Sequence, residues 1–515
     1  MGPPRHRSLA MKAARRFPEG SRNFHFDIHL IASYAAFFVP FAVYVYSMQR
    51  FVGYWDVGEM QTVPYILGIA HPTGFPAFTI IGWLFTHLFV VGGVAWRMTL
   101  MCAMAMSGAA WMINRIVLDE TGEPAIAMLC AWFFAFSAIA WTGGTRTEVH
   151  ALSTLFMVLT LLCALRWTRT LQNGWLYGGA AAWAFAIGTH PVALLIGVGL
   201  FAFLIYRWES ITAGALLGAA AIFVVLTVAL YAYLPLRSAQ VYAQRRDPTL
   251  ALGIAPGRPF WDYDHPARLS GFIQLVSGSE FPVGDAIAAS VTPETYLHEG
   301  RRYTDALTEN LTLPGLLLVL IGAFVFIRRE KLRAIGFIVC GIFAAPFALG
   351  FPIEADVARY FLPSFVVCSV LAGIAVSAIG ARWKALRSAS VAALAVIVGA
   401  QFYLHAHLLQ QRTDPGATRY IGNVLARTPR NAILLAPWTY ATPLAYAAYV
   451  ERRMDQRIVE TGWLSDDVDN LPRWMKERPV YIVYLPWGDL PDGYHLRLLP
   501  GGGEIPVYQV LKNYK

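Results

Sequence analysis

Charged residues are scarce in this sequence. Only 14% of its 515 residues are Asp, Glu, Lys or Arg, whereas soluble domains carry about 25%. Hydrophobic residues make up 57% of the chain. The shortage of charge excludes an ordinary soluble protein and predicts a polytopic membrane protein with some soluble mass attached.

Cysteine is also rare, and all five cysteines lie inside apolar runs. They therefore form neither a metal-ligand pair nor an exported disulfide framework. The sequence also lacks the Walker A pattern, G-x-G-x-x-G, G-x-S-x-G and H-E-x-x-H. A soluble nucleotide donor is therefore not indicated.

Acidic residues are outnumbered, and the formal net charge is +9. The basic residues lie in short runs beside apolar segments, which is typical of topology signals. No nucleic-acid partner is predicted; the lipid bilayer is the partner that this pattern indicates.

Apolar runs near the length of about 20 residues that a transmembrane helix needs recur along the chain. The run at 77–94 is the weakest, because Gly82 and His87 interrupt it, and it is expected to form a re-entrant or interfacial helix. About eleven transmembrane helices remain. They are predicted at 28–48, 98–116, 124–142, 149–165, 175–189, 191–206, 212–235, 311–327, 334–350, 360–380 and 387–406.

The positive-inside rule orients these helices. Residues 1–26 form a basic tail, predicted to be cytoplasmic, and the first apolar run lacks a cleavage site and reads as a retained anchor. Residues 27–410 are expected to be the multi-pass catalytic domain, with a first external loop at 49–97 and a large external loop at 236–310. Frequent charge and short alternating apolar runs predict an extracytoplasmic α/β domain at 411–515, periplasmic if the protein is bacterial.

The first external loop holds three candidate site residues. Asp56 and Glu59 are three apart, so they share a face if that turn is helical and could act as a base and a positioning group. His71 could bind phosphate or a metal, or it could be structural. A divalent ion, Mg²⁺ or Mn²⁺, is left open, because two or three outer carboxylates work with or without one.

Other candidates lie on the same predicted face. Glu148 could supply a further carboxylate or cap a helix, and Arg237 and Arg359 could hold a phosphate or simply snorkel. Asp262 and His265 could contact substrate or only fold the large loop. By contrast, the predicted spans carry no acid or lysine near mid-membrane, which argues against an ion-coupled transporter.

Several motifs resemble the DUF2723 family, whose members are related to membrane protein O-mannosyltransferases of the type-C glycosyltransferase superfamily. The resemblance covers roughly residues 50–280. The motifs are Asp56-x-x-Glu59, Leu67-Gly68-Ile69-Ala70-His71-Pro72-x-Gly74-Phe75-Pro76, Thr147-Glu148-Val149-His150-Ala151-Leu152 and Tyr233-Leu234-Pro235-Leu236-Arg237-Ser238, with a weaker echo at Arg359-Tyr360-Phe361-Leu362-Pro363.

The resemblance implies a type-C fold and transfer of a sugar, expected to be mannose, from a polyprenyl-phosphate carrier to a hydroxyl of a protein or glycan. It implies Asp56 as catalytic base. The other assigned roles are acceptor or metal positioning by Glu59 and Glu148, and substrate or phosphate binding by His71, His190, Arg237, Arg359 and Tyr360.

Three residues depart from the family pattern. Val57 replaces a small polar residue, Thr73 a second proline and His150 an aromatic residue. These departures affect the expected acceptor more than the reaction class. The alternatives are a lipid-linked-sugar flippase, transfer to a glycan or lipid, and a non-catalytic scaffold.

Overall fold

The protein is described by a computed structural model over residues 28–280, 293–343, 345, 354–461, 468–484, 493–501 and 504–513. The predicted basic tail at 1–26 lies outside the described residues, as does the segment 281–292 of the large external loop. The described chain is a long helical part followed by a small sheet.

The described α-helices are numbered in chain order. They are α1 (Ile28–Ser47), α2 (Trp55–Ile66), α3 (Pro76–Leu88), α4 (Val94–Thr121), α5 (Pro124–Ala135), α6 (Ala138–Thr145), α7 (Val149–Thr170), α8 (Asn173–Thr189), α9 (Gly197–Tyr206), α10 (Ala213–Ala243), α11 (Leu269–Ser277), α12 (Pro293–Leu311), α13 (Leu313–Arg329), α14 (Lys331–Ile342), α15 (Leu362–Arg382), α16 (Arg387–Leu404), α17 (Gly416–Arg427), α18 (Trp438–Tyr449) and α19 (Leu471–Glu477).

Six helical segments among the described residues are long and apolar enough to cross a membrane, or up to eight if each bent pair is one span. The chain is therefore an integral membrane protein. The larger count of about eleven crossings stays a prediction, because several predicted spans are short or broken helices here. Helix α3, in the segment predicted to be re-entrant or interfacial, begins at Pro76 and has 13 residues, fewer than the roughly 20 that a crossing needs.

Several predicted spans differ from the observed helices, and two of them have a clear local cause. The span predicted at 124–142 is divided into α5 and α6, which meet at an angle of 72°, and Ser137 caps the second helix by accepting a hydrogen bond from the Ala140 amide. Helix α10 passes through Pro235 and continues to Ala243. The first residues of the predicted large loop are therefore helical, since membrane helices tolerate an internal proline.

The strands belong to the C-terminal domain, as predicted, and they form a five-stranded sheet in the order β2-β1-β3-β5-β4. Strand β1 pairs in parallel with β2 and β3, while β5 pairs antiparallel with β3 and β4. Strands β1, β3 and β5 overlap short apolar runs of the sequence at 432–436, 480–485 and 505–511. The bounds are β1 (Ile433–Leu435), β2 (Ile458–Glu460), β3 (Val480–Val483), β4 (Tyr494–Leu498) and β5 (Val507–Lys512).

The sheet domain packs directly on the membrane domain. Helix α18 lies against α2, where a Cβ on Gly58 would approach the Thr442 hydroxyl oxygen to 2.9 Å, so glycine permits this close contact. Leu252 and Ile254, from the loop predicted to be external, join the apolar core of the sheet. The candidate site lies at this junction.

Candidate active site

Helix α2 places two carboxylates beside each other. Asp56 lies in its first turn, where the positive end of the helix dipole favours a negative charge. Glu59 follows one turn later and is fully buried. A buried carboxylate needs a hydrogen-bonded or charged partner, and the chain supplies one immediately after the helix.

That partner is His71. Its Nδ1 contacts Glu59 Oε2, and its backbone amide donates to Glu59 Oε1 at 2.8 Å. Burial lowers the pKa of His71, but the Glu59 and Asp56 carboxylates outweigh burial and raise this pKa to about 9. The imidazole is therefore a cation at neutral pH, and the ion pair fixes the loop after α2 to the helix.

Arg359 joins Asp56 to Glu148, the residue that precedes α7. Its Nη1 donates to Glu148 Oε2 at 2.9 Å, and its Nη2 lies 3.5 Å from Asp56 Oδ2. The 3₁₀ helix Glu354–Phe361 carries this arginine. One guanidinium thus faces two carboxylates from different parts of the chain.

Asp56 is ionised at neutral pH. Burial raises the pKa of its carboxyl, but His71, Arg359 and the indole of Trp438 outweigh burial, so the pKa lies below its usual value. Trp438 Nε1 donates to Asp56 Oδ1 at 3.0 Å. Both carboxylate oxygens therefore face a donor.

A group of rings adjoins these charges. His190 stacks on Phe75, with ring centroids 5.6 Å apart, and also contacts His150 at 4.5 Å and Tyr360 at 5.5 Å. Its Nδ1 accepts a hydrogen bond from the Val192 amide. Burial, and then the nearby Arg359 charge, lowers the pKa of His190 to about 3, so this ring is neutral.

The structure brings together most of the residues predicted for the site. Asp56 and Glu59 share α2 as expected, and His71, Glu148, His190, Arg359 and Tyr360 surround them. The catalytic and binding roles assigned to these side chains stay predictions.

The other three predicted residues have different partners. Arg237 donates from Nε to the Leu67 carbonyl at 2.5 Å and from Nη2 to the Ile66 carbonyl at 3.1 Å, so it caps the end of α2. His265 Nδ1 lies 2.6 Å from Asp262 Oδ2. These contacts fold the large loop, and contact of the three residues with substrate stays a prediction.

The sequence reasoning missed Trp438. It lies 382 residues after Asp56, in the terminal domain, where the sequence predicted no site residue. The local pattern, an aromatic residue after a buried strand, is as typical of packing as of a site. Its role follows only from the docking of α18 on α2.

A divalent metal has one set of potential ligands in the described part of the chain. One ligand atom each from Asp56, Glu59 and His71 lies within 4.8 Å of the others. Metal binding needs a neutral imidazole, whereas the Nδ1 of His71 is already in contact with the Glu59 carboxylate. Mg²⁺ also prefers octahedral sets of oxygen ligands. The arrangement fits an ion pair better than a Mg²⁺ or Mn²⁺ site.

Known proteins similar to this chain include named glycosyltransferases. The family described as Protein O-mannosyl-transferase TMEM260 N-terminal domain matches residues 56–214. Protein O-mannosyl-transferase TMEM260 from Mus musculus is 25% identical over 79% of this chain, and the protein of that name from Dictyostelium discoideum is 24% identical over 90%. These matches confirm the resemblance to protein O-mannosyltransferases, while the DUF2723 label stays a prediction.

The matched relatives are longer proteins. The chain spans 59% of the length of the mouse protein and 62% of the Dictyostelium protein. The matched family region contains Asp56, Glu59, His71, Glu148 and His190. Arg359 and Trp438 lie beyond it.

Solved structures of similar shape cover nearly the whole chain. ArnT from Cupriavidus metallidurans in the apo state superposes with a TM-score of 0.57 and 12% identity, over 93% of this chain and 97% of that one. ArnT bound to undecaprenyl phosphate gives 0.54 and 13% identity, with the same coverage. At this identity the likeness shows the fold alone. The chain therefore has the type-C glycosyltransferase fold that its motifs predicted.

Proposed function

We propose that this protein is an inverting glycosyltransferase that moves mannose from a polyprenyl-phosphate carrier to a protein Ser or Thr hydroxyl on the extracytoplasmic face. The observation that carries the proposal is the ionised Asp56, held with Glu148 by one guanidinium of Arg359. Such a constellation offers a base and a phosphate-binding cation in one place.

Asp56 acts as the general base. The acceptor oxygen attacks the anomeric carbon, its proton passes to Asp56, and the bond from that carbon to the phosphate oxygen breaks with its electron pair on the phosphate. A single displacement inverts the anomeric centre. The lowered pKa of Asp56 keeps this carboxylate ready to accept a proton throughout the neutral range.

Arg359 and His71 stabilise the departing phosphate. The contact between Arg359 and Asp56, at 3.5 Å, is at the limit of hydrogen-bond length. The guanidinium can therefore turn toward phosphate oxygens while Glu148 keeps it in place. His71, with its pKa of about 9, adds a second positive charge.

The similar proteins support this reaction class. Two relatives are named protein O-mannosyl-transferases, and ArnT, which shares the fold, has been solved bound to undecaprenyl phosphate. In our proposal residues 27–410 bind the lipid carrier, and residues 411–515 form an exported domain beside the site. The N-terminus is then cytoplasmic, and the active site faces the opposite side.

The test compares wild type with Asp56→Asn. Purified protein is incubated with polyprenyl-phosphate-linked mannose and a pool of exported and membrane proteins, and loss of the lipid-linked sugar is followed. Asp119→Asn is the matched control, because Asp119 also pairs with an arginine, at 2.6 Å, and has nearly the same exposed fraction, 27% against 29%. We expect Asp56→Asn to slow transfer by about 100- to 10,000-fold and Asp119→Asn to leave it unchanged.

The other outcomes distinguish the alternatives. Equal consumption of donor by wild type and Asp56→Asn shows that Asp56 is not the base. A glycan or lipid product instead of a glycoprotein changes the acceptor class. If no donor in a panel of sugars is consumed and reconstituted protein moves the lipid-linked sugar across vesicles, the protein is a flippase.

A further inference from the structure

The membrane domain does not complete the surroundings of Asp56 by itself. Trp438 is the first residue of α18 in the sheet domain, and its indole N–H donates to Asp56 Oδ1 at 3.0 Å. Pro437 precedes it with φ −64° and ψ 158°, a restricted backbone that directs the chain from β1 into α18. The sheet domain therefore delivers this donor to the carboxylate.

The indole is held on several sides. Its ring stacks on Phe260 with centroids 5.7 Å apart and planes 2° from parallel. His71 and Tyr263 contact the same ring edge to face, at 5.9 Å and 6.3 Å. The first external loop, the large external loop and the sheet domain thus meet at one side chain, which leaves the N–H little freedom to turn away from Asp56.

We propose that Trp438 is a positioning residue for the transfer reaction, so that the C-terminal domain is an obligatory part of the active site. The proposal rests on the proposed function of Asp56 as base. Trp438 fixes Oδ1 and thereby directs Oδ2, the oxygen that Arg359 faces, to the incoming hydroxyl. Without this bond the carboxylate rotates, and fewer encounters place a lone pair on the acceptor proton.

The indole bond also favours the ionised carboxylate, because a donor to a carboxylate oxygen stabilises the charged form. The charged and titratable groups that face Asp56 are Arg359 and His71, with Glu59 and Glu148 behind them. Removal of the indole N–H leaves those charges in place. The acid limb of the pH–rate profile should therefore move to higher pH.

The test is Trp438→Phe in the full-length protein, assayed with polyprenyl-phosphate-linked mannose across a range of pH. The variant keeps an aromatic ring and loses the N–H. We expect transfer to fall about 10- to 100-fold at neutral pH and the acid limb to shift upward.

The matched control is Trp474→Phe. Trp474 is buried in the same domain, and its Nε1 donates to the Leu252 carbonyl at 2.9 Å. This variant loses a comparable bond away from Asp56, and we expect a wild-type acid limb. If Trp438→Phe is unstable, Trp438→Tyr gives a second ring without the indole N–H.

Three outcomes overturn the proposal. The first is a wild-type rate and a wild-type acid limb in Trp438→Phe. The second is an equal loss of transfer rate in Trp438→Phe and Trp474→Phe with no shift of the acid limb. The third is failure of both Trp438 variants to fold, which would identify Trp438 as a purely structural residue. An active Asp56→Asn variant or an inactive wild type instead overturns the proposed function, so the two failures are distinguishable.

Discussion

Two clusters of arginines and carboxylates lie at opposite ends of α7. The candidate site adjoins its first residue, through Glu148, and the second cluster adjoins its last turn, through Arg169. The second cluster is centred on Arg333, which binds Glu120 at 2.6 Å and Glu330 at 2.5 Å, while Arg169 binds Glu120 at 2.6 Å. With a rise of 1.5 Å per residue, the ends of α7 are about 30 Å apart.

The clusters differ in burial and in bond length. Arg333 is 1% exposed and has short contacts, whereas Arg359 is 20% exposed and meets Asp56 at 3.5 Å. A buried arginine with short bonds to two carboxylates is fixed, and its loss leaves buried charge without a partner. Arg359 is more exposed and its contact with Asp56 is long, so a substrate can redirect the guanidinium on that side while Glu148 holds it on the other. The same residue types therefore stabilise the fold at one end of α7 and, in our proposal, take part in the reaction at the other end.

The largest effect is expected from Arg333→Ala. Glu330 loses its arginine, and the buried carboxylate of Glu120 keeps only Arg169, so the free energy of unfolding should fall by about 3–5 kcal/mol. The measurement is denaturation of the detergent-solubilised protein. Transfer per folded molecule should stay at the wild-type level. A loss of turnover without a loss of stability would show that the second cluster is not purely structural.

Arg359→Gln should give the reverse result. Loss of the guanidinium removes the charge proposed to stabilise the departing phosphate, and transfer should fall by about 100- to 1,000-fold. The melting temperature should change little, since this side chain is partly exposed. Arg359→Lys keeps the charge without the planar fork and should recover only part of the rate. A variant that unfolds while its residual activity stays normal would contradict this assignment.

The Glu59–His71 pair should make stability depend on alkaline pH. The folded-state pKa of His71, about 9, lies above its ordinary value of roughly 6.5. The pair's contribution is therefore complete below about pH 6.5 and is lost as pH rises through 9, which should cost on the order of 3 kcal/mol. Thermal denaturation from pH 6 to pH 10 measures it, and His71→Gln should flatten the dependence. An equal decline in both proteins would remove His71 as the cause.

The sequence predicted the local part of the site better than the distant part. Asp56 and Glu59 are one helical turn apart, and His71 follows on the same loop, so spacing alone brings them close. Topology placed Glu148 and Arg359 on one face of the membrane. The contact of Arg359 with both carboxylates could not be predicted, because it depends on how separate helices pack.

The missed features have physical reasons too. Arg237 carries the same guanidinium whether it binds a phosphate or the carbonyls at the end of α2, and only the position of α10 beside those carbonyls distinguishes these uses. Trp438 depends on domain docking. In the sheet, β4 is largely exposed, with a burial pattern that offers little apolar signal, whereas the buried β1 and β3 were evident as apolar runs.

The smallest effect is expected from Arg387→Ala, which tests whether burial or charge makes an ion pair stabilising. Arg387 Nη2 bonds Glu123 Oε2 at 2.8 Å, near the second cluster, but Arg387 is 62% exposed. Exposed ion pairs contribute about 0–1 kcal/mol, so Arg387→Ala should leave the denaturation midpoint within about 1 kcal/mol of wild type. Comparison with Arg333→Ala then holds residue type and location roughly constant and changes burial. If both substitutions destabilised the protein equally, burial could not be the reason that the second cluster stabilises the fold. The difference between Arg333 and Arg359 would then have to rest on bond length alone.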